Sequence, residues 1–305
     1  AGIHVRGVIY TPLLLLVKNG SCTRESGIKA RVAASAAGCN NINIYEGDVI
    51  MDSTLEALLF DVDGTLAVTV EVHRQGYNAA FNAAGLDWDW SPARYLELLA
   101  VCGGKERIRH YMQQQGIELP ADVDTFIADL HASKTDLYVA MMAEGRAPLR
   151  PGVERLIREA RAAGLRLAIV TTTTPANVSA LFKHSFGVHE DDWFEVVAAG
   201  GIVPNKKPAP DIYNFVLEKM GLPAAQCFAL EDSANGMNAA LAAGIDTLVT
   251  VNQYTDTHDF SGAAAVLDHL GEPVKPCTLL QGSLQPGPVV DVDYLQRLHA
   301  ACQEA

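Results

Sequence analysis

A chain of 305 residues with 49% hydrophobic and 19% charged residues is long enough for one large or two modest domains, and too apolar to stay disordered. Its formal net charge of -13 argues against a nucleic-acid partner or an anionic membrane surface, although a local basic cluster can still receive a small phosphorylated ligand. No uninterrupted apolar run approaches the ~20 residues a membrane span needs, and six cysteines without a CxxC pair signal neither a zinc knuckle nor a disulfide framework, which fits a reducing compartment.

Residues 1–50 differ in character from the rest of the chain. They carry five basic and three acidic side chains, a net of +2, and show no strong helical or strand periodicity. Three readings stay open for them: a translated upstream remnant, a cleaved organellar transit segment, or a genuine extension. The first predicts a cytoplasmic protein and the second a plastid one. An ordered domain is expected to open at Met51. LEALLF, ending at Asp61, has the length and composition of a buried strand. Four helices follow, over 71–85, from the Ser91-Pro92 start signal to 99, over 104–115 and over 121–144. A helix opened by Pro151-Gly152 runs to Gly164, and LRLAIVT is a buried-type strand. A helix over 176–186 leads to a strand near FEVVAAG. Residues 208–220 are predicted helical, QCFALED a strand, 233–243 a helix, and DTLVTV the last strand. The Pro- and Gly-rich stretch 272–287 reads as a tail ending in a short amphipathic helix over 291–301.

Alternation of this kind predicts an α/β fold, a Rossmann-like parallel sheet with helices on both faces. The four consecutive helices lack strand partners, so they form an inserted all-helical cap. The expected division is a core over 51–67 and 147–272, a cap over 68–146 and a tail over 273–305. Ligands of such sheets sit beyond the carboxyl ends of the strands. There the sequence delivers Asp61 and Asp63, Thr171 to Thr173, Lys206 and Lys207, and Glu231 and Asp232. Carboxylates crowded at roughly 4 Å repel by about 4 kcal/mol per pair at an effective dielectric near 20. A bound cation is the simple remedy, and hard oxygen ligands favour magnesium.

DVDGT at 61–65, Thr171 after LRLAIV, KKP at 206–208 and LEDS at 230–233 occur in this order, and together they resemble the haloacid dehalogenase superfamily of aspartyl-phosphate enzymes. VDGTLAVTVEVHRQGYNAAF, YLELLAVCGGKERI, NKKPAPDIY and ALEDSANGMNAA narrow the likeness to its CbbY-type branch of xylulose-1,5-bisphosphate phosphatases, which remove an inhibitor of the carbon-fixing carboxylase. The resemblance covers about residues 54–272. It implies that Asp61 is the nucleophile and Asp63 the general acid and base. Magnesium is then held by Asp61, the Asp63 backbone carbonyl, Glu231 and Asp232. Thr171 donates to the phosphoryl group, and Lys207 offsets the charge of nucleophile and phosphate. On the substrate side it implies Thr69 at the hinge, His73 and Tyr95 in the cap, and Gly103, Gly104, Lys105 and Arg107 in a cap loop gripping a second phosphate. Thr172, Thr173 and Asn177 lie beyond the scissile phosphate. Taken singly, Lys105 and Arg107 could equally be solvated helix charges, and His73, Tyr95 and Asn177 packing or capping residues.

The chain departs from the branch at Val68 and Val70, where glutamates are usual, and at Cys102, where threonine is. Val70 has no carboxylate for a sugar hydroxyl, which leaves the sugar open. The expectation is a magnesium-dependent, monomeric sugar-(bis)phosphate phosphatase with no nucleic-acid or membrane partner. Its rivals are a β-phosphoglucomutase-like phosphotransferase and a non-catalytic phosphate-binding regulator.

Overall fold

The computed structural model describes residues 16–18, 21–23, 29–30, 54–117 and 121–304. The chain divides into two compact units, residues 1–52 and 53–305. Most of the first unit, together with residues 51–53, lies outside the described residues, so the three readings of the leader lie there too. Within it, β1 (Leu16–Lys18), β2 (Ser21–Thr23) and β3 (Lys29–Ala30) form an antiparallel sheet in that order. Strands of two or three residues are too short to leave a period in the sequence.

The second unit is built on a seven-stranded sheet. Its central strand, β4 (Ala57–Phe60), pairs in parallel with β5 (Arg166–Val170) on one side and β7 (Cys227–Glu231) on the other. β6 (Val196–Ala198) follows β5, and β8 (Asp246–Thr250) follows β7. Period-two alternation sends Leu58 and Phe60 into one face's core and Ala57 and Leu59 into the other's. The first face is covered by α5 (Val153–Ala162) and α6 (Pro175–Ser185), the second by α7 (Asp211–Met220) and α8 (Ala234–Ala242).

DTLVTV is not the last strand. β9 (Ala265–Leu267) adds in parallel to β8, and β10 (Leu279–Gln281) closes that edge antiparallel, giving the order β10-β9-β8-β7-β4-β5-β6. β10 lies inside the stretch read as a tail. The helix after it, α9 (Val292–Gln303), buries Tyr294, Leu295 and Leu298 in the same cluster as Phe228 and Leu230. The helix expected from Pro208 begins at Asp211. A residue preceding proline is steered away from the helical region, and both Pro208 and Pro210 impose this.

Between β4 and α5 come α1 (Val70–Ala83), α2 (Pro92–Leu98), α3 (Gly104–Gln114) and α4 (Val123–Ala143). Ser91 caps α2 by accepting from the Arg94 amide at 3.2 Å. The four helices enclose their own aromatic core, in which the rings of Tyr77 and Trp90 touch each other and both touch Phe81 and Tyr95. Two chain crossings join them to the sheet, and a bridge between Ala67 and Leu149 ties the crossings together. Among the described residues no helix is long and apolar enough to cross a membrane.

Candidate active site

The order of strands places the switch point at β4. From there the chain first builds outward through β5 and β6, then returns to the other side with β7 and β8. A crevice opens at such a point, beyond the carboxyl ends. Phe60 is in register with both Ile169 and Leu230, so Asp61 follows β4 level with Val170 and Glu231. Asp61, Glu231 and Asp232 are buried, and each offers an oxygen within 4.8 Å of the others.

Lys207 enters this cluster from the loop after β6. Its ammonium donates to Asp61 Oδ1 at 2.9 Å, to Glu231 Oε1 at 2.6 Å and to the Val170 carbonyl at 2.8 Å. Burial alone would lower the lysine's pKa, but the two carboxylates hold it above its ordinary value. Burial also pushes Glu231 up to about 7 and Asp232 well above the carboxylate range. Three carboxylates thus face one ammonium. Glu231 Oε2 is buried without a hydrogen-bond partner, an orphaned oxygen that a hard cation would satisfy. Donor type, burial and charge deficit fit a divalent ion.

Asp63 stands apart from that cluster. Its Oδ1 meets His73 Nε2 at 2.9 Å, and Lys134 Nζ meets His73 Nδ1. A neutral imidazole donating to Asp63 and accepting from Lys134 fits this chain of contacts. Burial works to raise the Asp63 pKa, yet the His73 contact brings it below the ordinary range. The backbone turns at Gly64, where φ is +89°. A Cβ there would stand 2.1 Å from Asp232 Oδ2, so only glycine lets the two acidic motifs approach.

An open cleft extends from Asp63 toward the cap. Of the residues expected on the substrate side it brings together His73, Gly103, Gly104, Arg107, Thr172, Thr173 and Asn177. Asn177 Nδ2 donates to Thr173 Oγ1 at 2.8 Å. Thr171 is buried at the end of β5, its hydroxyl oxygen accepting from the Thr173 amide. Thr69 is fully buried at the start of α1, where the chain enters the cap.

Three cap residues stand off this cleft. Lys105 is exposed and does not line the cleft. Tyr95 lies one layer behind it, accepting from Arg107 Nη1 at 3.2 Å, while the Leu98 and Val101 carbonyls take two further Arg107 donors. Tyr95 therefore aims the guanidinium without lining the cleft. Val70 packs in the cap's aromatic core, away from the cleft. Tyr77, inside a quoted motif but not singled out, and His131 and Lys134, outside every motif, also line the cleft. Lys134 carried a legible signal, since it interrupts the buried stripe Ile127, Leu130, Tyr138 and Met142 of α4. A buried lysine there is costly unless it serves the cleft. Between cap and core, Lys206 donates to Glu106 of α3 at 2.7 Å.

A buried carboxylate with a lysine against it and an ion-ready acidic pair, set beneath a helical lid, fit an enzyme of the phosphoryl-transfer class. The family model of the haloacid dehalogenase-like hydrolases matches residues 55–244, and the chain belongs to that family. Within it the chain falls in the CbbY-type phosphatase branch. It is 47% identical to the plasmid-borne protein CbbY of Cupriavidus necator, over 73% of this chain and 88% of that one. CbbY of Rhodobacter capsulatus is 52% identical over 68% of this chain and 91% of its own. A crystal structure of a CbbY variant from Rhodobacter sphaeroides in complex with xylulose-(1,5)bisphosphate superposes with a TM-score of 0.67 at 46% identity, covering 72% of this chain and 98% of that chain.

Proposed function

We propose that this chain is a magnesium-dependent phosphatase of sugar bisphosphates, acting on xylulose-1,5-bisphosphate or a close ketose bisphosphate through an aspartyl-phosphate. The observation that carries the reading is the distribution of cations along the cleft. Lys207 stands at Asp61, while Arg107 and Lys134 line the cap end. Tyr95 and the Leu98 and Val101 carbonyls hold the Arg107 guanidinium from behind while it lines the cleft, where it can meet a distal phosphate. The xylulose bisphosphate in the Rhodobacter sphaeroides relative supports the choice of sugar.

In this reading an Asp61 oxygen attacks phosphorus and the phosphorus–sugar oxygen bond breaks, with Asp63 giving its proton to the departing oxygen. Water then attacks the aspartyl-phosphate, its proton passes to Asp63, and the phosphorus–Asp61 bond breaks. The His73 contact favours the ionised Asp63 that the second half requires and works against the protonated form that the first half requires. Asp61, Glu231, Asp232 and the Asp63 carbonyl would hold magnesium, which when bound supplies positive charge against the phosphoryl oxygens. Lys207, beside Asp61, would offset charge on the pentacoordinate phosphoryl group, and Thr171 would donate to a phosphoryl oxygen.

The test is a phosphate-release screen over sugar mono- and bisphosphates with and without a chelator. Release should be fastest from xylulose-1,5-bisphosphate and should vanish with chelation. Isomerised monophosphate in place of free phosphate would identify a mutase instead.

Burial holds Lys134 down to about 7, with Arg107 adding to the effect. Above that pH the cleft loses a positive charge, so kcat/KM for a bisphosphate should fall on the alkaline side. Lys134→Arg should move that limb upward, since guanidinium keeps its proton. Folding linkage gives a second readout. Between about 7 and the ordinary lysine value near 10.4 the unfolded chain binds the extra proton, so this residue's contribution to stability rises with pH. Lys134→Met should abolish that slope in denaturant titrations.

A further inference from the structure

Asp232 directly follows β7 at the sheet's carboxyl edge, and among the described residues its carboxylate has one hydrogen-bond donor, Asn252 Nδ2, at 2.7 Å from Oδ2. Asn252 belongs to no motif, and it comes from the turn after β8. The turn fixes which way its amide faces. Asn252 Oδ1 accepts from the Tyr254 amide at 2.9 Å, so Nδ2 is the end left for the carboxylate. The Asn252 amide in turn donates to Thr255 Oγ1 at 3.1 Å.

The turn is anchored on both sides. Beneath it, the buried Arg150 guanidinium contacts the Thr250, Val251 and Asp268 carbonyls, and also the Gly64 carbonyl of the loop that carries Asp63. Above it, the Tyr254 hydroxyl reaches Glu71 of α1 at 3.1 Å, with its ring in the cap's core. Asn252 therefore projects from a platform shared by the general acid/base loop and the cap.

We propose that Asn252 is a positioning residue for the metal ligand Asp232. By engaging Oδ2 it stops the carboxylate from rotating and leaves Oδ1 as the oxygen free for an ion shared with Asp61 and Glu231. A donor on a ligating carboxylate typically changes metal affinity by one to two orders of magnitude. The inference rests on the proposal that this cluster holds a metal, and the experiment separates the two.

Asn252→Ser keeps a side-chain oxygen that can accept from the amide two residues on, but it is too short to reach Asp232. Manganese binding, followed by the electron paramagnetic resonance signal of the free ion, should weaken roughly tenfold or more in this variant. Phosphate release lost at low magnesium should return at high magnesium. Asn252→Ala, which also loses the turn's acceptor, should weaken the ion at least as much. Thermal unfolding of the chelated proteins is the control. A lowered melting temperature with unchanged manganese affinity would make Asn252 merely structural and overturn the inference. A wild-type protein that binds no manganese would instead overturn the metal reading, and the inference with it.

Discussion

Asp61→Asn should lower phosphate release by at least about 10⁴-fold, because the proposed route has no second nucleophile to take over. The carboxamide is nearly isosteric, and its oxygen can still accept from Lys207. Lys207 also keeps its bonds to Glu231 and to the Val170 carbonyl, so the crevice should hold its shape. The variant should therefore fold and bind a bisphosphate without turning it over. Acid-quench experiments with labelled substrate should trap an alkali- and hydroxylamine-labile phosphoenzyme in wild type and none in the variant. Retained turnover would remove Asp61 from the nucleophile's role.

Lys207→Met should harm both chemistry and folding. Removing a preorganised donor facing developing charge costs roughly 10²–10³ in kcat. Removing one partner of a buried ion pair costs about 3–5 kcal/mol, because the uncompensated charge stays buried. Here two carboxylates lose the same ammonium. The sign of the pH dependence is set by the groups left behind. Without Lys207 the folded-state pKa values of Asp61 and Glu231 rise further above their unfolded values. Folded protein then holds protons that the unfolded chain has released, and stability falls as pH rises through that interval. Urea titrations should show the deficit shrinking near pH 5 and deepening near pH 8. An equal deficit at both would mean that the lysine acts through packing alone.

The catalytic side was legible in the sequence because its residues are covalent neighbours. Asp61, Asp63 and Gly64 lie within one motif, and Glu231 and Asp232 within another, each at the end of an apolar strand. Strand ends at a switch point are brought together by topology alone. The cap side was less legible because its contacts are set by helix rotation. Lys105 and Arg107 stand two residues apart, about 200° around the helix, so both could not face one cleft. Tyr95 was read as touching substrate, yet it sits behind the arginine that does line the cleft. His131 and Lys134 come from a helix with no recognisable motif, and Asn252 from a turn. The two late strands are three residues each, below the length at which alternation can be seen.

Lys206 and Lys207 are consecutive, yet one clasps Glu106 on the lid while the other lies against Asp61. A partly exposed ion pair is worth only about 0–1 kcal/mol, so this clasp is a weak one. A catalyst that must discharge two products after every cycle needs a door that shuts lightly, and raised ionic strength should leave it ajar more often. Through two adjacent residues the loop after β6 thus touches both the lid and the buried carboxylates.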